Sequence, residues 1–409
     1  MSMRKYLRIV SIPIRGLLDL VLFLPLLLLC LISRCVQRQI DIGIGPEPII
    51  GHKYQKKALE RYGYAAQTYV NSVYFLTEEF DVRGDRYLGK WGFLLLPYVL
   101  FALVIFRYKG IYIYFNGGPL FTTILLWKVE PFLYKVAGVK VVVMPYGGDV
   151  QELSRSHNLS YKAAMSKDYP EFRFKRRRIE KRIDLWTKHA SHVISGCDWA
   201  EYMYYWNTLV LAHFTIDEDR WKPTPSLSRN RNRSSPLRIF HAPNHRHIKG
   251  TEYFSSAVED LRQAGYEIEL VILERVPNEK VRETISTVDL VADQLIIGWY
   301  GMFAVEAMAM GKPVLCHIRA DFEDFFIQEG LLEPGELPII QCSPQNVKET
   351  LVQLIENRDQ LISLGERSRN FVLKHHSTEA MGKVFDRINR SMGIVPSMPS
   401  SVGGHPQKE

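Results

Sequence analysis

One loop of the sequence gathers several basic side chains and a glycine. Residues 241–254 read HAPNHRHIKGTEYF, between a strand-like run at 237–240 and a helical pattern that we expect to begin near Lys249. The free backbone N–H groups and the dipole at the start of a helix attract anions. These features predict a phosphate site. Its candidate residues are Arg246 and Lys249, with Asn244 beside them.

Two other interpretations of this loop stay open at this point. A solvated basic loop would have the same composition. The three histidines at 241, 245 and 247 suggest a metal site, but no cysteine or carboxylate nearby completes a ligand set. Two unpaired cations, Arg246 and Lys249, would cost about 0.3–1 kcal/mol at the positive end of a helix until an anion binds. Replacing Lys249 is therefore expected to leave folding stability unchanged or slightly higher.

A second segment places glycines at a predicted strand-to-helix junction. Residues 298–314 read GWYGMFAVEAMAMGKPV and follow a strand that we expect to end at Ile297. Glycines at such a junction let a ligand approach the backbone closely, and the first amides of the helix suit a diphosphate. The candidate contacts are Gly298, Gly301, Met302 and Phe303.

Glu306 lies about one turn into this predicted helix. Its carboxylate can accept hydrogen bonds from the two hydroxyls of a ribose. The alternative is an acid that is stabilised only by the dipole at the helix N-terminus.

The elements around these segments predict parallel βαβ units, because strand-like runs alternate with helical ones. The strand-like runs are residues 40–44, 111–115, 139–144, 192–195, 237–240, 268–273, 290–297, 313–318 and 338–340. The alternation stops at WKPTPSLSRNRNRSSP, whose prolines and serines are typical of a linker.

We therefore predict an α/β protein of two Rossmann-like domains that face a cleft, with a membrane-associated N-terminal segment. The predicted boundaries are 1–39 for the membrane segment, 40–220 for the first domain, 221–236 for the linker, 237–392 for the second domain and 393–409 for a disordered tail.

The composition argues against a disordered, a collagen-like or a disulfide-rich protein. The chain has 409 residues, of which 46% are hydrophobic and 23% charged, as in folded globular proteins. Five scattered cysteines argue against a disulfide framework and favour a reducing compartment. The net charge of +8 favours anionic partners, but no fold signature of a nucleic-acid-binding protein accompanies it.

The N-terminal segment predicts membrane association. Residues 17–32 carry Asp19 as their only charge, but as a helix they span about 24 Å, which is short of the roughly 30 Å of hydrocarbon. This length and Pro25 favour an interfacial or re-entrant segment over a straight span. A cleaved signal peptide is disfavoured, because no small-x-small site follows the run. Flanking cations place the N-terminus in the cytoplasm.

Residues 93–106 (FLLLPYVLFALVIF) form a second uncharged stretch. Its length predicts a helix buried against a sheet, with membrane contact as the alternative.

At the two ligand-binding segments the sequence resembles the nucleotide-sugar glycosyltransferases of the GT-B fold, group-1 type. The resemblance covers essentially the whole second half of the chain. Residues 214–223 (FTIDEDRWKP) are also similar to the family's interdomain junction. The matches to the family's donor-binding motifs are Arg246, Lys249, Gly250, Gly301 and the run EAMAMGKPV at 306–314, in which Glu306 matches the second of two family glutamates.

The sequence departs from the family at two positions. Gly298 stands where the family has its first glutamate, which contacts the transferred sugar, so the donor sugar and the stereochemical outcome stay open. Residues 144–149 (MPYGGD) are similar to the family's His-Gly-x-Asp motif, with Tyr146 in the place of histidine. Asp149 is retained, as a candidate catalytic residue or as a helix N-cap.

The resemblance implies a glycosyltransferase that moves a sugar from a nucleoside-diphosphate sugar to a glycan or lipid-linked acceptor. The implied catalytic residues are Asp149, Lys249 and Glu306. Asp217 and Asp219 spell a metal-binding Asp-x-Asp pattern, but they lie in the junction that the resemblance already explains. Since fixed cations and a helix dipole can neutralise a leaving diphosphate, we expect no metal and no cofactor.

The basic run RFKRRRIEKR at 173–182 is either a solvated helix face or a contact for anionic lipid head groups. We expect a membrane-associated protein with both domains on the cytoplasmic face and no nucleic acid partner. Two alternatives stay open. One is a non-catalytic sugar-nucleotide-binding scaffold in a membrane assembly, and the other is a nucleotide-sugar epimerase, which the membrane segment disfavours because its substrate is soluble.

Overall fold

The first of two sheets has seven parallel strands in the order β3-β2-β1-β4-β5-β6-β7. The computed structural model describes residues 3–73, 77–86, 92–223 and 235–401. The strands are β1 (Ile40–Ile44), β2 (Ala66–Val70), β3 (Val82–Arg83), β4 (Tyr108–Tyr114), β5 (Lys140–Met144), β6 (His192–Gly196) and β7 (Thr208–Val210). The predicted runs correspond to β1, β4, β5 and β6. The strands β2, β3 and β7 were missed because they are short or carry few consecutive apolar residues.

Among the described residues, six α-helices accompany this sheet. They are α1 (Met3–Ser33), α2 (His52–Arg61), α3 (Gly92–Arg107), α4 (Glu130–Ala137), α5 (Leu159–Asp168) and α6 (Arg176–His189). The predicted helix at 93–106 is α3. One of its faces is buried, at residues such as Phe101 and Val104, while Leu95 and Val99 are exposed.

The second sheet has five parallel strands in the order β12-β11-β10-β8-β9. All five strands correspond to predicted runs, although the run at 290–297 is a strand only at its start. The strands are β8 (Leu237–His241), β9 (Ile268–Ile272), β10 (Leu290–Ala292), β11 (Val314–Cys316) and β12 (Ile339–Gln341). The helices are α7 (Arg246–Lys249), α8 (Thr251–Gln263), α9 (Asn278–Ser286), α10 (Met302–Ala309), α11 (Ala320–Gln328), α12 (Val347–Glu356) and α13 (Gln360–His375).

The last helix, α14 (Thr378–Ser391), crosses back and packs on α2 of the first domain. Phe385 and Ile388 join the core beside β1 and β4, and Asn389 accepts a hydrogen bond from the Tyr112 hydroxyl at 3.0 Å. The predicted second domain, 237–392, therefore includes a last helix that packs on the first domain.

The tail predicted as disordered at 393–409 is in part ordered. Asp41 accepts hydrogen bonds from the amide and the hydroxyl of Ser397 at 3.1 and 2.6 Å, and Met398 N–H donates to the Gly63 carbonyl. These bonds hold the chain along the first domain as far as residue 401. Residues 402–409, like 224–234 of the predicted linker, lie outside the described residues.

Each sheet reverses its strand order at one place, between β1 and β4 in the first domain and between β8 and β10 in the second. At such a place the two chain segments leave the carboxyl ends of their strands in opposite directions and open a crevice that binds ligands. The residues after β1, β4, β8 and β10 are therefore those to inspect.

The N-terminal helix α1 is longer than the sequence predicted. It is one helix through Pro13 and Pro25, and its apolar part, Ile12–Ser33, has 22 residues, long enough by length and composition to cross a membrane. The argument from short length is therefore wrong, because the helix continues on the N-terminal side of Leu17.

Helix α1 is attached to the first domain by a buried carboxylate. It packs against α3 and α4, and Asp19 is fully buried. The carboxylate accepts the Tyr98 hydroxyl at 2.6 Å and the amides of Ile124 and Leu125 at 2.8 and 2.6 Å. The opposite face of the helix is apolar and exposed. Its exposed residues include Leu17, Leu20, Val21, Leu24, Leu28 and Leu31.

Candidate active site

A buried ion pair lies at the reversal point of the second domain. Lys249 Nζ, from the loop after β8, lies 2.7 Å from Oδ1 of Asp293, the residue that follows β10. Asp293 is fully buried, and its Oδ2 accepts the Gly301 amide at 2.8 Å. The sequence analysis missed Asp293. Its position directly after a buried strand was the one signal that could have identified it.

The pair lies at the N-terminus of α10. Met302 and Phe303 are the first two residues of this helix, so their amides have no acceptor within it. Both residues are partly exposed, whereas Ala304 behind them is buried. A Cβ on Gly301 would lie 3.6 Å from Lys249 Nζ, so a cation and free helix amides lie close together, as an anion site requires.

The other predicted residues of the basic loop are Asn244, Gly250 and Arg246, which pairs with carboxylates. Arg246 is about two-fifths exposed and pairs with Glu252 and Glu274 at 2.8 and 3.2 Å. Asn244 is exposed, and Gly250, at φ 73°, ends the one-turn helix α7. Where we expected one helix to begin near Lys249, the chain therefore forms the one-turn helix α7 and then α8, which begins at Thr251. The expectation of unpaired cations is wrong, since carboxylates neutralise both Arg246 and Lys249.

The three histidines of the loop do not converge. His241 is buried between the Ala292 carbonyl and the Thr251 hydroxyl, at 2.8 and 2.9 Å, and burial lowers its pKa to about 4. His247 lies 2.7 Å from Asp168 of the first domain, and His245 contacts Tyr169. This arrangement gives no support to a shared metal.

Glu306 is almost fully buried within α10. Its Oε1 accepts a hydrogen bond from Asn278 Nδ2 at 2.9 Å, and burial raises its pKa to about 7. The ribose contact predicted for Glu306 stays a prediction. Asn278, at the start of α9, is a further polar residue at this place that the sequence analysis did not single out.

Gly298 has an arginine where a side chain of its own would go. Its φ is 98°, and a Cβ at this position would lie 2.6 Å from Cγ and Cδ of Arg319. The Arg319 guanidinium is fixed by Glu201 of the first domain at 3.0 Å and by Asp321 at 2.6 Å. The place of the family's first glutamate is therefore filled from another loop by a cation.

Asp149 is buried and organises the strand ends of the first domain. Its Oδ1 accepts the amides of Tyr146 and Gly147, and its Oδ2 accepts the amide of Phe115, all at 3.0 Å. Burial raises its pKa to about 7. The geometry favours a positioning role, and the catalytic role stays a prediction.

A cluster of three polar residues, of which the sequence analysis singled out only Tyr146, lies at the β1/β4 reversal point. The Asn116 amide, after β4, donates to Glu47 Oε1, after β1, and to the Tyr146 hydroxyl, both at 2.8 Å. All three residues are partly exposed. The first domain thus has its own polar crevice.

The two domains contact each other through segments that follow the strands of the second sheet. Asn158 donates to the carbonyls of Ile296 and Ile297 at 2.7 and 3.2 Å, and Asp168 accepts the Ile248 amide at 3.0 Å. With the Arg319–Glu201 pair, these contacts join the first domain to the segments that follow β8, β10 and β11 of the second.

The aspartates of the junction are paired with a lysine. Lys57 Nζ lies 2.6 Å from Asp217 and 3.6 Å from Asp219. Within the ranges that the structure describes, no cluster of three histidine, cysteine or acidic side chains is arranged to hold a metal ion.

Comparison with known proteins identifies the fold. No protein-family model and no curated protein sequence matches the chain. Sucrose-phosphate synthase from Thermosynechococcus elongatus is 13% identical, with a TM-score of 0.55 over 87% of this chain and 99% of that one. A glycosyltransferase from Rickettsia africae ESF-5 is 11% identical, with a TM-score of 0.53 and the same coverage. Together with the two parallel sheets and the cleft between them, these likenesses confirm the predicted GT-B fold.

Proposed function

We propose that the protein transfers a sugar from a nucleoside-diphosphate sugar to an acceptor held by the first domain. The observation that carries this proposal is the Lys249–Asp293 pair beside the free amides of Met302 and Phe303, at the reversal point of the second domain. A diphosphate fits this place, because a cation and a helix N-terminus both stabilise its charge.

The proposed reaction is displacement at the anomeric carbon. The bond from that carbon to the diphosphate oxygen breaks, and its electron pair leaves with the diphosphate. The acceptor oxygen forms the new bond, and its proton passes to the departing diphosphate oxygen. Stabilising the leaving group is the largest contribution that the protein makes, and Lys249 and the α10 amides supply it. Asp293 holds the Lys249 ammonium group at the helix terminus. Glu306 is proposed to hold the ribose.

The test is incubation with a panel of nucleotide sugars, with and without a membrane extract, scoring release of nucleoside diphosphate. We expect release from at least one donor, and faster release with the extract. Binding of a nucleoside diphosphate without release from any donor would instead favour a scaffold. Conversion of a free nucleotide sugar to its epimer would favour an epimerase.

Turnover is expected to be independent of divalent metal. Lys57 already occupies the space beside Asp217 and Asp219, and fixed groups neutralise the diphosphate. Excess EDTA should change the rate by less than about twofold, since none of the proposed contacts needs a bridging cation. Loss of turnover in EDTA that Mg or Mn restores would contradict this proposal.

We further propose that α1 lies at the membrane surface with both domains in the cytoplasm. The observation in support is the burial of Asp19, whose three hydrogen bonds attach the helix along the first domain. A helix that left the domain to cross the bilayer would break these bonds.

This topology predicts the labelling of single cysteines, placed at Ser2 or in the C-terminal tail of a cysteine-free variant. An impermeant reagent should label neither in intact cells and both in permeabilised cells. Labelling of the Ser2 position alone would show a true span. Labelling of the tail would overturn the cytoplasmic assignment.

A further inference from the structure

Three arginines converge on two consecutive carbonyl groups between β4 and α4. Arg178 and Arg182, both on α6, donate to the Phe121 carbonyl at 3.1 and 2.8 Å, and Arg15 of α1 donates to the carbonyl of Thr122. Throughout the described parts of the chain, no carboxylate lies within ion-pairing distance of these three guanidinium groups. The cluster is therefore a concentration of positive charge whose partners are neutral: backbone oxygens, the Asn116 amide oxygen and the Trp127 ring.

The electrostatics of the cluster favour an anion. Partial burial of the guanidinium group of Arg178, and then the charge of Arg15, lower its pKa, although the residue as a whole is exposed. Burial, and then the charge of Arg178, lower the pKa of Arg182 to about 10, against smaller opposing effects of Glu47, Tyr146 and Glu130. Arg182 has an exposed fraction of 5%, and its Nε has no hydrogen-bond partner among the residues that the structure describes. A phosphate near these groups would offset their mutual repulsion and supply charge-assisted hydrogen bonds.

The cluster adjoins the apolar face of α1. Arg15 lies one turn before Asp19, on the side of α1 that packs on the domain, and its sequence neighbours Ile14 and Leu17 are exposed. A bound phosphate group would thus lie beside an apolar surface that suits a lipid chain.

The cluster also adjoins the crevice of the first domain. Arg182 donates to Asn116 Oδ1, and the same Asn116 donates to Glu47 and Tyr146 at the β1/β4 reversal point. One side chain therefore separates the arginines from the crevice that faces the donor site. A surface that only bound bulk phospholipid would have no need of this connection.

We propose that Arg15, Arg178 and Arg182 bind the phosphate or diphosphate of a lipid-linked acceptor. Its chain lies on the exposed face of α1, and its sugar or hydroxyl end reaches the crevice of Glu47, Asn116 and Tyr146. This proposal rests on the proposed function and names the chemical class of its acceptor.

Binding of a soluble analogue tests the site without turnover. The probe is farnesyl diphosphate, titrated calorimetrically into the full chain in nanodiscs of zwitterionic lipid, with empty discs as the blank. Arg178→Gln is the principal variant, because Arg178 is exposed and its replacement leaves the core intact. Arg177→Gln is the matched control, since Arg177 is exposed on the same helix. Arg182→Lys keeps the buried charge and removes the planar fork of donors.

We expect Arg178→Gln and Arg182→Lys to weaken farnesyl diphosphate binding by about tenfold to a hundredfold, as for the loss of one charge-assisted hydrogen bond. The Arg177→Gln variant should bind as the wild type does. Inorganic diphosphate and farnesol should each bind more weakly than the probe, because the first lacks the isoprenoid chain and the second lacks the diphosphate. Uridine diphosphate binding, measured in the same variants, should not change.

Equal affinity for the probe in the Arg177 and Arg178 variants would overturn the site. Full displacement of the probe by discs that contain anionic phospholipid would assign the arginines to head groups of the bilayer instead of the acceptor. Failure of the proposed function has a different signature, since the wild type would then bind the probe but release nucleoside diphosphate from no donor.

Discussion

Replacing Lys249 with alanine should weaken nucleotide binding and also destabilise the fold. The variant leaves Asp293 fully buried with the Gly301 amide as its remaining hydrogen-bond donor. Removing one partner of a buried ion pair costs about 3–5 kcal/mol, because the other charge stays uncompensated. Loss of one charge-assisted contact to a phosphate costs roughly 1.5–3 kcal/mol of binding. Chemical denaturation and titration with a nucleoside diphosphate measure the two effects separately.

Two control variants separate the phosphate contact from the ion pair. The double variant Lys249→Met, Asp293→Asn removes both charges, so it should regain much of the stability but not the affinity. Lys348→Ala breaks a surface pair with Asp260, in which both side chains are about half exposed, and should cost less than about 1 kcal/mol. Equal loss of stability in the Lys249 and Lys348 variants would contradict the buried-pair argument. Unchanged nucleotide affinity in Lys249→Ala would remove the phosphate role.

This prediction reverses the one drawn from sequence, and the reason is physical. A basic loop before a helix reveals where a cation lies along the chain, but it does not reveal which strand lies next to it. The partner, Asp293, comes from β10, 44 residues further on, and becomes its neighbour only through the strand order β10-β8. A single aspartate after a short strand gives no periodic or spacing signal.

The larger architecture was predictable because it repeats a local rule. Apolar runs such as those of β5 and β8, separated by helical stretches, predict parallel strands wherever they occur. The packing of α14 on the first domain depends instead on a contact between segments that are far apart in the sequence. Gly382 allows close approach to Tyr62 and to the Ala58 carbonyl, and such a surface match between distant segments leaves no local pattern in the sequence.

The crevice of the first domain illustrates the same limit. Glu47, Asn116 and Tyr146 are far apart along the chain, and none belongs to a recognisable motif apart from the MPYGGD run. Only the reversal between β1 and β4 makes them neighbours. The sequence could therefore predict a cleft between two domains, but not most of the side chains that form the crevice of the first domain.

Replacing Gly298 with alanine should destabilise the protein more than any ordinary glycine substitution in a loop. The residue has a φ of 98°, and the new Cβ would lie 2.6 Å from two carbons of Arg319. A left-handed backbone costs a non-glycine residue about 1–2 kcal/mol, and overpacking adds roughly 1–3 kcal/mol. Arg319 cannot move aside cheaply, because Glu201 and Asp321 fix its guanidinium group.

Gly330→Ala is the matched control for this variant. Gly330 has a φ of 71° and no atom within 4 Å of the position of its Cβ, so the substitution adds backbone strain alone. Calorimetry should place Gly298→Ala below both the wild type and Gly330→Ala in melting temperature. Equal melting temperatures for the two variants would mean that Arg319 does not fill this space. In that case a glutamate at position 298 would be sterically possible. In the observed geometry, by contrast, Gly298→Glu cannot restore the family's first glutamate without displacing Arg319.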